Sequence, residues 1–98
     1  MSESELLRIV TKMARSLNLR VYHTINSKKN VTSNGFPDLV LVGDGGVMFV
    51  ELKTEKGIVS DAQYEWGEAL GRAGARFDVW RPRDVDSGKI AAALVTLR

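Results

Sequence analysis

Cysteine is absent from the 98-residue chain, and histidine occurs once. The first absence excludes disulfides and thiolate metal sites, and it is compatible with a cytoplasmic protein. No apolar run approaches the roughly 18 residues of a membrane span, and the polar N-terminus does not read as a signal peptide. Internal repeats, low-complexity tracts and an interior linker are also missing. The expectation is therefore one domain over 1–98, just large enough for a single modest core.

Charge is present in an uneven pattern beneath a net +2. Residues 1–36 carry six basic and two acidic groups, and 71–98 carry six and three. The middle, 37–70, carries two basic and seven acidic groups. Basic flanks around an acidic centre suit a polyanion held over a metal-loaded carboxylate cluster. Ordinary charge scatter on a small domain gives the same pattern.

The chain is organised around Gly35 to Gly57, G-F-P-D-L-V-L-V-G-D-G-G-V-M-F-V-E-L-K-T-E-K-G. Two apolar runs flank Asp44-Gly45, a dipeptide suited to a tight hairpin because both residues tolerate φ > 0. A hairpin symmetric about it sets Val42 against Val47, Val40 against Phe49 and Asp38 against Glu51. Opposed residues share a sheet face with Cβ atoms roughly 4.5–5.5 Å apart, so the two carboxylates repel unless a cation sits between them. Alternation puts Lys53 on the face of Glu51.

Around this hairpin the elements follow in order. Residues 3–17 read as an amphipathic helix with Leu6, Val10, Met13, Ala14 and Leu17 inward. Ser2 and Glu5 fit a capping box, whereas Glu3 falls within the apolar stripe and either complements the helix dipole or reaches a site beneath. Asn18 is the expected C-cap. A strand follows over 19–25, and His23 on it reads more readily as a packing residue than as a ligand. The polar loop 26–35 carries Lys28 and Lys29, which suit either phosphate contact or plain solvation.

Strands 37–42 and 46–53 are apolar on both faces, which predicts a sheet covered on two sides. Ser60 and Gln63 form a second capping box at the start of a helix over 60–73, with Ala62, Trp66, Ala69, Leu70 and Ala73 as its buried stripe. A strand over 75–81 stops at Pro82, and a short helix surrounds Ile90–Val95. The order is α-β-β-β-α-β-α. An antiparallel meander should be followed by a parallel, right-handed crossover, giving an α/β fold with a small mixed sheet between helices.

Asp38 and Glu51 form a hard oxygen site suited to Mg²⁺ or Mn²⁺ rather than Zn²⁺. Such an ion polarises a phosphodiester and lowers the pKa of a bound water. Lys53 is placed to hold the attacking water or to stabilise charge on the phosphorane oxygens. Together these roles describe phosphodiester hydrolysis. Singly, a P-D turn or an E-x-K triplet is common, and a surface Glu–Lys pair contributes only about 0–1 kcal/mol.

Pro37-Asp38 followed by Glu51-Leu52-Lys53, in this order of elements, resembles the PD-(D/E)xK nuclease superfamily. More narrowly, R-V-Y-H-T (20–24), G-F-P-D-L-V-L-V (35–42), V-E-L-K-T-E-K-G (50–57), S-x-x-Q-x-x-W (60–66) and V-W-R-P (79–82) resemble the VRR-NUC domain, a virus-type replication–repair nuclease module. The match spans essentially the whole chain, as for a stand-alone, minimal member. The resemblance implies a restriction-endonuclease-like fold. It makes Asp38 and Glu51 metal-binding acids, the Leu52 carbonyl a further ligand, and Lys53 the catalytic lysine. Gln63 matches the glutamine that orients a water or the lysine. Glu3, chosen over Glu5 for its inward face, matches a helix glutamate near the metal.

The expected function is a Mg²⁺- or Mn²⁺-dependent, structure-selective DNA endonuclease, a homodimeric Holliday-junction (four-way-junction) resolvase in DNA repair. The setting implied is the cytoplasm of a bacterial or phage-infected host cell. Lys28, Lys29, Lys56 and the arginines of 72–83 would hold backbone phosphates of branched DNA. A nuclease nicking ordinary duplex and a non-catalytic DNA-binding module remain as alternatives.

Overall fold

The computed structural model describes residues 1–24 and 34–98. The loop lysines Lys28 and Lys29 lie outside the described residues. Helix α1 spans Glu3–Ser16 and starts with the expected capping box: the Glu5 amide donates to Ser2 Oγ at 3.1 Å and the Ser2 amide to Glu5 Oε1 at 3.3 Å. Its buried residues are Leu6, Val10 and Ala14. The cap is Leu17 rather than Asn18, which lies one residue further on with φ +62°. Asparagine tolerates that left-handed conformation, and it turns the chain into the first strand.

Strands β1 (Arg20–His23), β2 (Leu39–Gly43) and β3 (Gly46–Leu52) form the antiparallel meander. Helix α2 (Asp61–Arg72) then crosses over to β4 (Arg76–Trp80), which pairs parallel with β3. The sheet order is β1-β2-β3-β4, and two short helices, α3 (Arg83–Asp86) and α4 (Lys89–Val95), complete the described chain. Val42 pairs with Val47 and Val40 with Phe49, the register expected for a turn at Asp44-Gly45.

The turn achieves this differently from the expectation. Neither Asp44 nor Gly45 has a positive φ; the positive value falls on Gly46, at +144°. The glycines instead make room for the C-terminal segment. A Cβ on Gly43 would sit 1.9 Å from the Leu97 carbonyl oxygen, and the Gly45 amide donates to that same oxygen at 3.0 Å.

One face of the sheet carries the core. Leu39, Leu41, Met48, Val50 and Leu52 are buried against Leu6, Val10 and Ala14 of α1 and Ile90, Leu94 and Leu97 of the C-terminal segment. Burying each of these side chains other than Ala14 contributes about 1.5–3 kcal/mol, so this face holds the domain together. The opposite face is covered more thinly than two apolar faces predict. No residue of α2 is fully buried, Ala69 and Ala73 of its expected stripe are exposed, and Val47 of β3 is 44 % exposed. Among the described residues no helix is long and apolar enough to cross a membrane.

Candidate active site

Asp38 is positioned by the turn that leads into β2. Gly35 takes φ +83° against the α2 backbone, where a Cβ would lie 2.4 Å from the Ala62 carbonyl carbon. Phe36 stacks edge-on to Trp66 and Phe49 at 4.9 and 6.0 Å, and Trp66 Nε1 donates to the Asn34 carbonyl at 3.0 Å. From the other side, the Thr24 amide donates to the Asp38 carbonyl at 2.8 Å, and Thr24 Oγ1 donates to Pro37 at 2.8 Å and to Asp38 at 3.2 Å. The Asp38 backbone is therefore fixed between β1 and α2. Its carboxylate Oδ2 accepts the Leu52 amide at 2.8 Å, which ties it to the end of β3.

Glu51 is 1 % exposed and pairs with Val79 of β4. Both of its carboxylate oxygens are buried without a hydrogen-bond partner among the described residues. Burial pushes this carboxyl up to about 9, the neighbouring Asp38 carboxylate adds to the rise, and Lys53 opposes it. A buried ionised carboxylate without a donor is strongly unfavourable. A proton relieves it, and so does a cation bound by both acids. The donor set is oxygen only, so hard divalent cations fit it.

Leu52 and Asp38 line a hollow of about 150 Å³ together with Glu3, Ser4, Leu7 and His23. The expected helix acid, Glu3, thus reaches the site's edge, and its charge adds to the rise at Glu51. Glu5 is engaged elsewhere, in the capping box, where the Ser2 donors hold its carboxyl below the usual range. Among the described residues no three His, Asp or Glu side chains gather closely enough to hold one ion. The tight unit is the Asp38–Glu51 pair.

Lys53 continues β3 by one residue, its amide donating to the Trp80 carbonyl at 3.0 Å. Gln63 keeps the capping role predicted for it: its Oε1 accepts the Ser60 amide at 2.9 Å, leaving its amide NH₂ as the remaining donor. It lies on the rim of a larger groove of about 550 Å³ between α2 and β4, which contains neither Asp38 nor Glu51. Volume and chemistry are separated here, and the acids mark the site.

Lys56 is exposed on the turn after Lys53. All four of the arginines expected on phosphates have partners within the protein. Arg81 Nη1 donates to the carbonyls of Thr54, Glu55 and Gly57 at 2.7, 3.3 and 2.8 Å. Arg83 pairs with Glu55, Nε to Oε2 at 3.0 Å. They fasten the turn carrying Lys56. Arg76 bonds Thr96 Oγ1 at 2.6 Å, and the exposed Arg72–Glu68 pair at 3.6 Å is weak.

His23, read from the sequence as a packing residue, is exposed and lines the hollow with Asp38. Its pairing with Leu39, which no sequence signal announces, sets it beside the start of β2.

The sequence profile described as the VRR-NUC domain matches residues 1–84. A solved structure titled VRR_NUC domain protein superposes with a TM-score of 0.72 at 20 % identity, covering 99 % of this chain and 90 % of its own. A second, titled VRR_NUC domain, gives 0.70 at 22 % identity, covering 90 % and 95 %. No curated protein matches the sequence.

Proposed function

The chain belongs to the VRR-NUC domain family, nucleases of the PD-(D/E)xK type that generally use divalent metals, and from that premise we propose a structure-selective DNA endonuclease that resolves four-way junctions. The observation that carries the metal-dependent part is Glu51: a fully buried carboxylate with no donor, beside a second carboxylate. In this reading Asp38, Glu51 and the Leu52 carbonyl hold Mg²⁺ or Mn²⁺, with Glu3 at the edge of the hollow. When bound, the ion polarises the scissile phosphodiester and lowers the pKa of a coordinated water.

The chain's own groups do the rest. Asp38 is held in place by the Leu52 amide, so its carboxylate meets the substrate pre-organised. Lys53 holds the attacking water or stabilises negative charge on the phosphate oxygens. Gln63 supplies its amide NH₂ to orient the water or the Lys53 ammonium. Lys56, on its fastened turn, contacts a flanking phosphate, a role also assigned to Lys28 and Lys29. Specificity in this reading is for DNA shape, since these contacts are to the backbone.

Two sites related by a two-fold axis would nick two strands symmetrically, so the reading includes a homodimer. The thinly covered α2 face and its adjoining groove leave surface for a second copy. The setting assigned is the cytoplasm of a bacterial or phage-infected cell.

The test is a cleavage assay on a labelled four-way junction and a matched linear duplex, with and without Mg²⁺. Preferential, Mg²⁺-dependent cutting of the junction is expected. Equal cutting of both substrates contradicts junction selectivity and leaves the nuclease. No cutting of either DNA with either Mg²⁺ or Mn²⁺ contradicts the nuclease reading of this chain.

A further inference from the structure

We propose that His23 is a substrate-contacting residue, donating an imidazole N–H to a phosphate oxygen of DNA seated in the hollow beside Asp38. The inference rests on the nuclease reading and adds to the acid pair and the lysine a donor on the opposite side of the site.

Three observations support it. His23 is exposed, and it lines the hollow of about 150 Å³ that also contains Asp38 and Leu52. Its position is fixed by the backbone, because His23 pairs with Leu39 and the next residue, Thr24, is bonded by amide and hydroxyl to the Pro37-Asp38 turn. The backbone that carries the imidazole is thus already in place, so only the side-chain rotamer has to be ordered on contact with a ligand.

The third observation is the balance of the hollow. Its other charged groups are Glu3 and Asp38, both acidic, and Leu7 and Leu52 are apolar. A phosphate approaching these acids needs a donor facing it. Ser4 offers a hydroxyl from the first turn of α1, and His23 offers an N–H in either tautomer. The basic side chains on the other flank are Lys53 and Lys56, which follow β3. His23 lies on β1, two strands away in the sheet order, so the two sets of donors bracket the acids.

A metal-ligand role is the competing possibility. Histidine suits softer ions than an oxygen pair does. Among the described residues no three His, Asp or Glu side chains gather for one ion. Both facts favour the phosphate over the metal as the partner of His23.

The experiment compares His23→Ala and His23→Asn with the unaltered protein, using a labelled four-way junction and a linear duplex. Single-turnover cleavage is read across a Mg²⁺ titration. Affinity for the uncut DNA is read separately by anisotropy in a Lys53→Ala background. A hydrogen bond to a charged partner corresponds to a loss of roughly tenfold or more in cleavage rate for His23→Ala. Affinity is expected to weaken in parallel, with partial recovery in His23→Asn through its amide donor and an unchanged Mg²⁺ midpoint. Unaltered cleavage and affinity in His23→Ala overturns the proposal. So does a raised Mg²⁺ midpoint with full rescue at high Mg²⁺, which assigns His23 to the ion. If the unaltered protein cuts no DNA, the nuclease reading fails by itself, and the affinity measurement still decides whether His23 contacts phosphate.

Discussion

Asp38 and Glu51 stand side by side at one end of the β2–β3 hairpin and are satisfied unequally. Asp38 Oδ2 accepts the Leu52 amide at 2.8 Å, whereas both Glu51 oxygens are buried with no donor. One acid is anchored by a backbone donor, and the other has none among the described residues. In the proposed reading that asymmetry marks the pair as a cation site, because a bound cation would supply what the fold withholds from Glu51.

The metal-free protein is expected to lose stability as pH rises. The folded Glu51 carboxyl lies at about 9, above the ordinary 4.5, so between those values the folded state holds a proton that the unfolded state has released. Stability is then fully present below about pH 4.5 and falls towards pH 9, by at most about 1.4 kcal/mol per pH unit. Denaturant midpoints measured in EDTA from pH 5 to 9 check the slope. Glu51→Gln should flatten it and be the more stable protein at pH 9.

Lys53→Ala is expected to lower cleavage by about 10²–10³-fold, the range for removing one group that stabilises charge in the transition state. DNA affinity should change little, since Lys56 remains. Single-turnover rates and anisotropy separate the two effects. Loss of binding without any cleavage in the unaltered protein would favour a DNA-binding module instead.

Arg81→Ala is expected to loosen the turn that carries Lys56. Three carbonyls lose their shared donor, at a cost of about 1.5–3 kcal/mol, and amide exchange over 54–58 should quicken. Arg81→Lys should restore only part, because an ammonium lacks the planar guanidinium geometry. An unchanged exchange pattern in Arg81→Ala contradicts the bracing role.

The acid pair was legible in the sequence because a two-residue turn fixes a register. Once Val42 faces Val47, the counting to Asp38 and Glu51 follows, and alternation carries it to Lys53. His23 was not legible, since the long connection 24–38 between β1 and β2 sets no register. Arg81 is expected from the sequence on DNA phosphates, and its bracing role is hidden for a related reason: its partners are main-chain carbonyls brought near by the parallel crossover of β4, and backbone acceptors leave no mark in a sequence. Gly45 is read from the sequence for its conformational freedom, but its use is to let the C-terminal segment approach: a Cβ there would meet the Thr96 and Arg98 carbonyl oxygens, and its amide donates to Leu97. The thin cover of α2 is hidden in the sequence because alanines at helical spacing read as a buried stripe, although Ala69 and Ala73 face solvent.

The central claim is that Asp38 and Glu51 hold a divalent cation, and titration of Mn²⁺ into the protein at pH 8, followed by calorimetry, tests it most directly. Saturable binding is expected that competes with Mg²⁺ and is lost or weakened at least tenfold in both Asp38→Asn and Glu51→Gln, since each removes half of a two-carboxylate donor set. Equal affinity in the unaltered protein and in Glu51→Gln would contradict it.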